Sequence, residues 1–536
     1  MLQRRIGAAA ISAARRFSAA AEALPAESSG KKTTVTPAAE TLTSESSGKK
    51  TTPTTSSSSS SGGRDTLGRR LLALIHPKRS AVVTIRQWKE EGHTVRKYEL
   101  NRIVRELRKL RRFKHALEIS EWMRTQEDIK LLCGDYAVHL DLIAKIRGLD
   151  SAEKFFEDIP ETMRAEPTLS ALLHTYVQHR AYDKAEALMV KMAECSYVSS
   201  PLPYNHMMSM YKEIGKLEKI PELMKELKKN TKPDIVSYNL WLTTCQFQND
   251  IKTAENVFLE MKKAKIELDW MTFSILTSLY TKKGMNDKAE CSLKEMESRI
   301  SRKNRSAYSS LISLYTNLGK KNEVYNTWKK MKSVFRKLND SEYTCIIASL
   351  IKLGELKDAE KFYDEWESVS TSGDSRVPNL LIGAYINANQ MEKATEFFDR
   401  FTQKGIKPSY TTWELLTSGY LKLKQVEQVL DCFKKAVTSV KKWEPNLTFI
   451  HEIYKLLEEQ ESIKGAEGML TVLRNAGYVT TEIYNMLLRT YASAGKMPPI
   501  IEERMTEDKV LLNEETKELI RLTSTMCVAD VSNCLS

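Results

Sequence analysis

A chain of 536 residues with a formal net charge of +13 and a pI near 9.1 is long enough for several globular domains and basic enough to invite a polyanionic partner. Nine of the thirteen excess positive charges fall within residues 1–96, which hold 16 Lys and Arg against 7 Asp and Glu, so charge alone decides little about the rest. No apolar run is long enough to cross a bilayer, and eight cysteines scattered without a C-x-x-C pair argue against a disulfide framework or a zinc site; they read as small buried side chains in a reducing compartment.

Residues 1–25 read as a mitochondrial transit peptide. The first 21, MLQRRIGAAAISAARRFSAAA, carry Arg4, Arg5, Arg15 and Arg16, abundant alanine and no acidic residue, which as a helix is basic and amphipathic. That pattern directs the chain to the mitochondrial matrix, with the chloroplast as runner-up. Residues 26–66 form a Ser/Thr/Lys-rich linker, in which ESSGKKTT is written at Glu27–Thr34 and again at Glu45–Thr52, followed by serines from Ser56 to Ser61. Such a segment has too little apolar surface to fold and is expected to be disordered. The leucines and Trp88 of residues 67–96 predict an N-terminal helical cap.

From residue 97 to 512 the chain repeats. Tyr238, Phe273, Tyr308 and Tyr343 lie 35 residues apart, and each opens the same pair of apolar stripes. In one unit Tyr238, Trp241, Leu242 and Cys245 mark one helix, and Ala254, Val257, Phe258 and Met261 mark a second. Gly215, Gly284, Gly319, Gly354 and Gly495 recur at one place between the two, where a left-handed residue ends the first helix. Aligned units begin near Lys97, Cys133, Glu166, Pro201, Ile235, Trp270, Arg305, Asp340, Ser375, Tyr410, Leu447 and Thr481. A two-helix unit cannot bury its stripe alone, so the fold class is all-α: a solenoid of about twelve helix-turn-helix repeats with helical caps. Residues 513–536 complete it as a capping helix and tail, with Asn513 before Glu514 and Glu515 reading as the N-cap.

The 35-residue period, the aromatic followed by a small polar residue (Tyr238-Asn239, Phe273-Ser274, Tyr308-Ser309, Tyr343-Thr344) and unit endings such as Lys232-Pro233-Asp234 resemble the pentatricopeptide repeat, in its plant mitochondrial form built of uninterrupted repeats. The tetratricopeptide signature Trp-x-x-Leu-Gly is missing. The resemblance implies a right-handed superhelix that binds single-stranded organellar RNA, one nucleotide per repeat. It also implies that the residue after the aromatic and the last residue of the unit read the base together. By position the reading pairs are Asn205 with Asp234, Asn239 with Asp269, Ser274 with Asn304, Ser309 with Asn339, Thr344 with Asp374, and Asn379 with Ser409. All are short and polar. The family's code translates them as U, U, A, A, G, C, and Thr344→Asn is expected to move its position from G toward U. Ala137 with Ala165, Glu414 with Asn446, and His451 with Thr480 have no translation, and Asn101 with Leu132 and Ser170 with Ser200 fit the code poorly.

The second residue of a unit is expected to flank a base, which Leu202, Val236 and Met271 suit and Ser306, Ser341 and Arg376 do not. Lys109, Lys145, Lys282, Lys352 and Lys422 recur at position thirteen, where cations would neutralise phosphates. The basic run from Arg102 to Lys114 reads as a charged outer face.

Signals of catalysis are poor. The H-x-E and C-x-x-C of a zinc deaminase do not occur, no phosphate-binding glycine loop is present, and no cofactor is called for. The expectation is a non-catalytic RNA-binding protein acting by occupancy in transcript stabilisation, processing, splicing or translation. A protein-binding scaffold in a mitochondrial complex, with RNA-processing or ribosomal proteins as partners, is the alternative; it predicts apolar patches where the RNA reading predicts polar pairs flanked by lysines.

Overall fold

The computed structural model describes residues 65–76, 79–370, 373–440 and 442–533, with side chains to residue 524. The leader expected over 1–25, and the linker over 26–66 except its last two residues, lie outside the described residues. Among those described, every regular element is helical: 27 α-helices and one short 3-10 turn at Glu161–Met163. Ten of the twelve first helices begin on the residue the repeat register predicts. The other two, Leu202–Ile214 and Arg376–Asn387, begin one residue later.

The chain divides into two compact units, 1–292 and 293–536. In the first, helices Leu67–Leu72 and Ala81–Glu90 place Leu71, Ile85 and Trp88 in one apolar cluster with Leu100, Ile103 and Leu107 of the first repeat. Within the second, Ile450, Leu457, Met469, Leu473, Tyr484 and Leu487 make a comparable cluster that takes in Ile501 and Met505. The closing helix, Glu514–Asn533, is longer than the sequence implied, and Asn513 caps it by accepting the Thr516 N–H at 2.8 Å.

A repeat such as those opening at Ile235, Trp270 and Arg305 is pinned at three places. Its first helix starts on a short polar residue: Asp234, Asp269 and Asn304 accept the N–H three residues on, at 2.8, 2.9 and 3.1 Å. The aromatic of the fourth position then sinks its ring into the core, and Tyr238 and Tyr343 reach the second helix of their own repeats. Tyr238 and Tyr343 donate to Glu260 and Glu365 at 2.9 and 3.0 Å, and burial pushes both phenols well above their usual range. Fully buried aliphatics such as Leu242 and Ile347 supply most of the driving force, about 1.5–3 kcal/mol each.

Finally, a left-handed residue ends the first helix. The glycines named from sequence have φ between 64° and 81°. Arg111, Arg180, Asn249, Asn389, Lys424 and Glu461 hold the same place with φ of 52° to 59°, where a side chain costs about 1–2 kcal/mol.

The cysteines are less uniform than expected. Cys245 and Cys432 are buried, and burial pushes their thiols up to about 12 and about 11, but Cys195 and Cys291 are exposed at the surface of second helices. They follow the helical period on its solvent side.

Candidate nucleic-acid interface

The candidate reading residues sit in the first turn of the first helices and on the cap that opens the next one. The structure brings three of the six pairs together. Asn205 Nδ2 donates to Asp234 at 3.1 Å, Asn239 Nδ2 to Asp269 at 3.3 Å, and Asn379 Nδ2 to Ser409 at 3.4 Å. In each, a third residue closes the contact: the hydroxyls of Ser237, Thr272 and Thr412 lie 2.7, 2.8 and 2.8 Å from the asparagine Oδ1. Each hydroxyl is fully buried and belongs to the third position of the following repeat. The asparagines are 6%, 5% and 8% exposed, so only the edge of each amide reaches the surface.

An amide has two N–H donors and two carbonyl lone pairs. The bracket occupies one of each and leaves one of each for a ligand. Where the cap is aspartate, which when ionised only accepts, the amide nitrogen faces it and the oxygen faces the hydroxyl.

Two other pairs, Ser309 with Asn339 and Thr344 with Asp374, are arranged differently. Ser309 and Thr344 turn their hydroxyls to their own helix, donating to the carbonyls of Arg305 and Asp340 at 3.4 and 2.7 Å. Asn339 forms a capping box with Glu342 and accepts from Arg305 at 3.0 Å, while Arg305 also grips the buried Glu342 carboxylate at 2.5 Å. Asp374 is held by Arg376 at 2.8 Å. Burial raises the Asp374 carboxyl, but the bonds from Arg376 outweigh it and keep it below the usual range. Ser274 lies in the first unit and Asn304 in the second.

The short polar character of Asp234, Asp269, Asn304, Asn339 and Ser409 therefore has a cause that sequence reasoning overlooked. These residues are helix caps, and capping selects Asp, Asn and Ser whether or not a base is read.

Of the flanking positions, Leu202 is 47% exposed and Val236 and Met271 are partly buried. All five position-thirteen lysines are exposed. Lys109 pairs with Glu106 of its own helix, Lys352 reaches Asn317 at 2.5 Å, and Lys422 reaches the Ile386 carbonyl at 3.1 Å. Lys145 and Arg108 converge on Asp141, which is 7% exposed, at 2.8 and 2.7 Å. Burial raises Asp141, and the two cations more than offset it.

The basic run from Arg102 to Lys114 is not simply an outer face. Arg112 donates to the Leu72 carbonyl at 2.6 Å, tying the cap to the first repeat, and Arg108 points along the row of first helices.

Sequence reasoning missed one site. Asn485 forms the same bracket, with its Nδ2 3.4 Å from Asn513 Oδ1 and its Oδ1 2.7 Å from the Thr516 hydroxyl; its Nδ2 also reaches Glu515 at 2.9 Å. The signal was present in Tyr484-Asn485 and in the spacing of Asn513 to Thr516. Asn101 is held in a related way by Asp135 at 2.9 Å.

Matches to known families cover this same stretch. Models described as PPR repeat family, pentatricopeptide repeat domain and PPR repeat match residues 233–282, 200–245, and 271–299, 306–334, 343–369 and 377–406. The chain is 56% identical over 475 residues to the Arabidopsis thaliana pentatricopeptide repeat-containing protein At4g02820, mitochondrial, covering 89% of each. The chain belongs to the pentatricopeptide repeat family. A second Arabidopsis thaliana member of that family, At5g09450, mitochondrial, is 37% identical over 249 residues, 46% of this chain and 61% of its own. Among solved structures, the pentatricopeptide repeat protein PPR10 from maize aligns with a TM-score of 0.46 at 17% identity, covering 83% of this chain and 68% of its own. In this pentatricopeptide repeat protein the bracketed asparagines at 205, 239 and 379 all lie inside or at the edge of the matched repeats.

Proposed function

We propose that this protein binds single-stranded RNA with base preference in the mitochondrial matrix and acts by occupying its target, without catalysing a reaction. The observation that carries the reading is the register of the candidate sites. An amide or hydroxyl stands in the first turn of successive first helices, next to the polar cap of the following repeat, at the interval of one repeat. A linear polymer with one base per step matches that spacing. Exposed lysines near the other end of the same helices supply charge for phosphates.

The mitochondrial assignment rests on the Arg-rich, acid-free leader and on the relatives whose names place them there. Holding a strand in this way protects it from exonucleases, prevents a hairpin, or presents a splice or translation site. The uninterrupted repeat register favours the class without an editing module. Among the described residues no helix is long and apolar enough to cross a membrane.

The test is binding of the full chain to RNA containing UUAAGC against a scrambled oligonucleotide, across a salt series. At least a tenfold preference is expected, with affinity falling as salt rises, by a logarithmic slope of about 0.7 per phosphate contacted. Equal affinity for both sequences, or none, ends the reading. The scaffold alternative has one observation in its favour: Tyr98 at 74%, Leu132 at 59% and Leu202 at 47% exposure place apolar surface at the first turns of the early repeats. Capture of a protein partner that survives loss of these three side chains would remove it.

A further inference from the structure

We propose that the buried hydroxyl at the third position of a repeat is a positioning residue for the base reader of the repeat before it. Ser237, Thr272, Thr412 and Thr516 fix the amides of Asn205, Asn239, Asn379 and Asn485, and so set which base edge each amide accepts. The inference rests on the RNA-reading function proposed above and deepens it.

Two observations carry it. First, the hydroxyl and the asparagine occur together in four of the five repeats that carry asparagine at this place, and in the fifth Asn101 meets Asp135. Each of these four asparagines has a hydroxyl residue as third residue of the next unit, whereas Ser274, Ser309 and Thr344 are followed there by Ala307, Glu342 and Val377. Where a hydroxyl stands at that position without an asparagine before it, at Thr168, it turns to the backbone carbonyl of Met163 at 2.8 Å instead.

Second, the helix cap does not need it. Asn304 caps its helix through the N–H of Ala307, and Thr480 through the N–H of Ile483, neither of which carries a hydroxyl. The cap's bond to the helix N–H therefore forms without the hydroxyl, which lies between two groups: the cap side chain, at 2.8, 2.9, 3.1 and 2.6 Å for Ser237, Thr272, Thr412 and Thr516, and the asparagine carbonyl. Without the hydroxyl, the amide has one anchor, on the cap residue, and can swing about that bond, so that its oxygen and its second N–H hold no fixed direction. With it, the amide has two anchors of opposite polarity. Its remaining N–H and lone pair then point in fixed directions.

The chemistry recognised is a pyrimidine edge, where uracil and cytosine exchange donor for acceptor at adjacent positions. A fixed amide distinguishes them; a turning one does not.

The experiment compares the full chain with Thr272→Val and Thr272→Ser, using RNA that carries UUAAGC with the second U replaced by each other base. Thr272→Val is expected to lower the preference for U over C at that position by about 5–10-fold, the worth of one hydrogen bond. Preference at the first U and the final C should stay as in the wild type, and Thr272→Ser should restore the second. A uniform loss across all positions, or retained preference in Thr272→Val, overturns the inference. If the wild type itself prefers no base anywhere, the RNA reading fails instead. The positioning claim is then judged by crystal structures of the RNA-free variants. The Asn239 amide is expected to swing away from its wild-type orientation in Thr272→Val and to hold it in Thr272→Ser; an unmoved Asn239 in Thr272→Val refutes the claim on its own.

Discussion

Repeats that open on an asparagine and those that open on a serine or threonine solve the same problem in opposite ways. Asn239 sits almost buried and cannot satisfy its amide within its own helix, so it borrows Asp269 and Thr272 from the next repeat. Thr344 is smaller and satisfies itself, giving its hydroxyl to the carbonyl four residues back. The difference teaches that base choice at the first kind of site is a property of two adjacent repeats, whereas at the second it rests on one side chain and its cap. A code written as residue pairs leaves out the third member.

The strongest way to break this comparison is to convert one kind into the other. Thr344→Asn alone is expected to shift its position from G toward U only in part, because Val377 offers the new amide no oxygen. Thr344→Asn with Val377→Thr should complete the shift, by up to about 100-fold in relative affinity, measured with base-substituted RNA. Equal behaviour of the single and double variants would erase the distinction.

Removing caps should separate the two kinds next. Asp269→Ala loses a helix cap and also strands the amide of Asn239, for about 2 kcal/mol of local stability. Asn304→Ala loses a cap alone, about 1 kcal/mol. Hydrogen exchange of helices Trp270–Lys282 and Arg305–Asn317 reads each locally, which suits an array whose repeats unfold with some independence.

Acid sharpens the contrast from outside. The brackets contain no histidine, but His139 of the second repeat is 1% exposed, bonded to Ser120 at 2.8 Å and flanked by Arg124 and Phe155. Burial, and then the charges of Arg124 and Arg147, hold its pKa down to about 3. The folded state thus binds fewer protons than the unfolded one, whose histidine titrates near 6.5. The stabilisation is present above pH 6.5 and is lost as the pH falls toward 3, at about 1.4 kcal/mol per pH unit. Helices Cys133–Arg147 and Phe113–Arg124 should therefore loosen at pH 5.5 while the bracketed repeats of Asn239 and Asn379, which hold no histidine, keep their protection; the repeat of Asn205, where burial holds His206 down to about 3, should loosen with them, and His139→Gln should reduce the pH dependence.

The smallest effect concerns the turn between helices. Glu461→Gly should stabilise the eleventh repeat by about 1 kcal/mol, since glycine accepts its φ of 52° without strain; Gly354→Ala should cost a similar amount. Thermal unfolding of both variants checks the sign.

Much of the architecture was legible because a helix writes its period into the chain. The spacing of Tyr238 to Cys245, the glycines at one fixed place and the recurring aromatics put ten helix starts on the right residue. The candidate readers were legible as positions, and the cap function of their partners was not, because Asp, Asn and Ser serve both roles with the same residue types. Asn485 was overlooked since Asn513 was read only as a cap, which it also is.

Local sequence alone thus determined the repeat, its register, its core stripes and the residue types at each first turn, all of which depend on contacts within a few helical turns. Tertiary stacking decided which of those side chains are shared between repeats. Asn239 meets Thr272 across 33 residues of sequence, and Asn485 meets Thr516 across 31. Only the packing of one first helix against the next brings those partners within hydrogen-bond reach, and no pattern inside a single unit carries that distance.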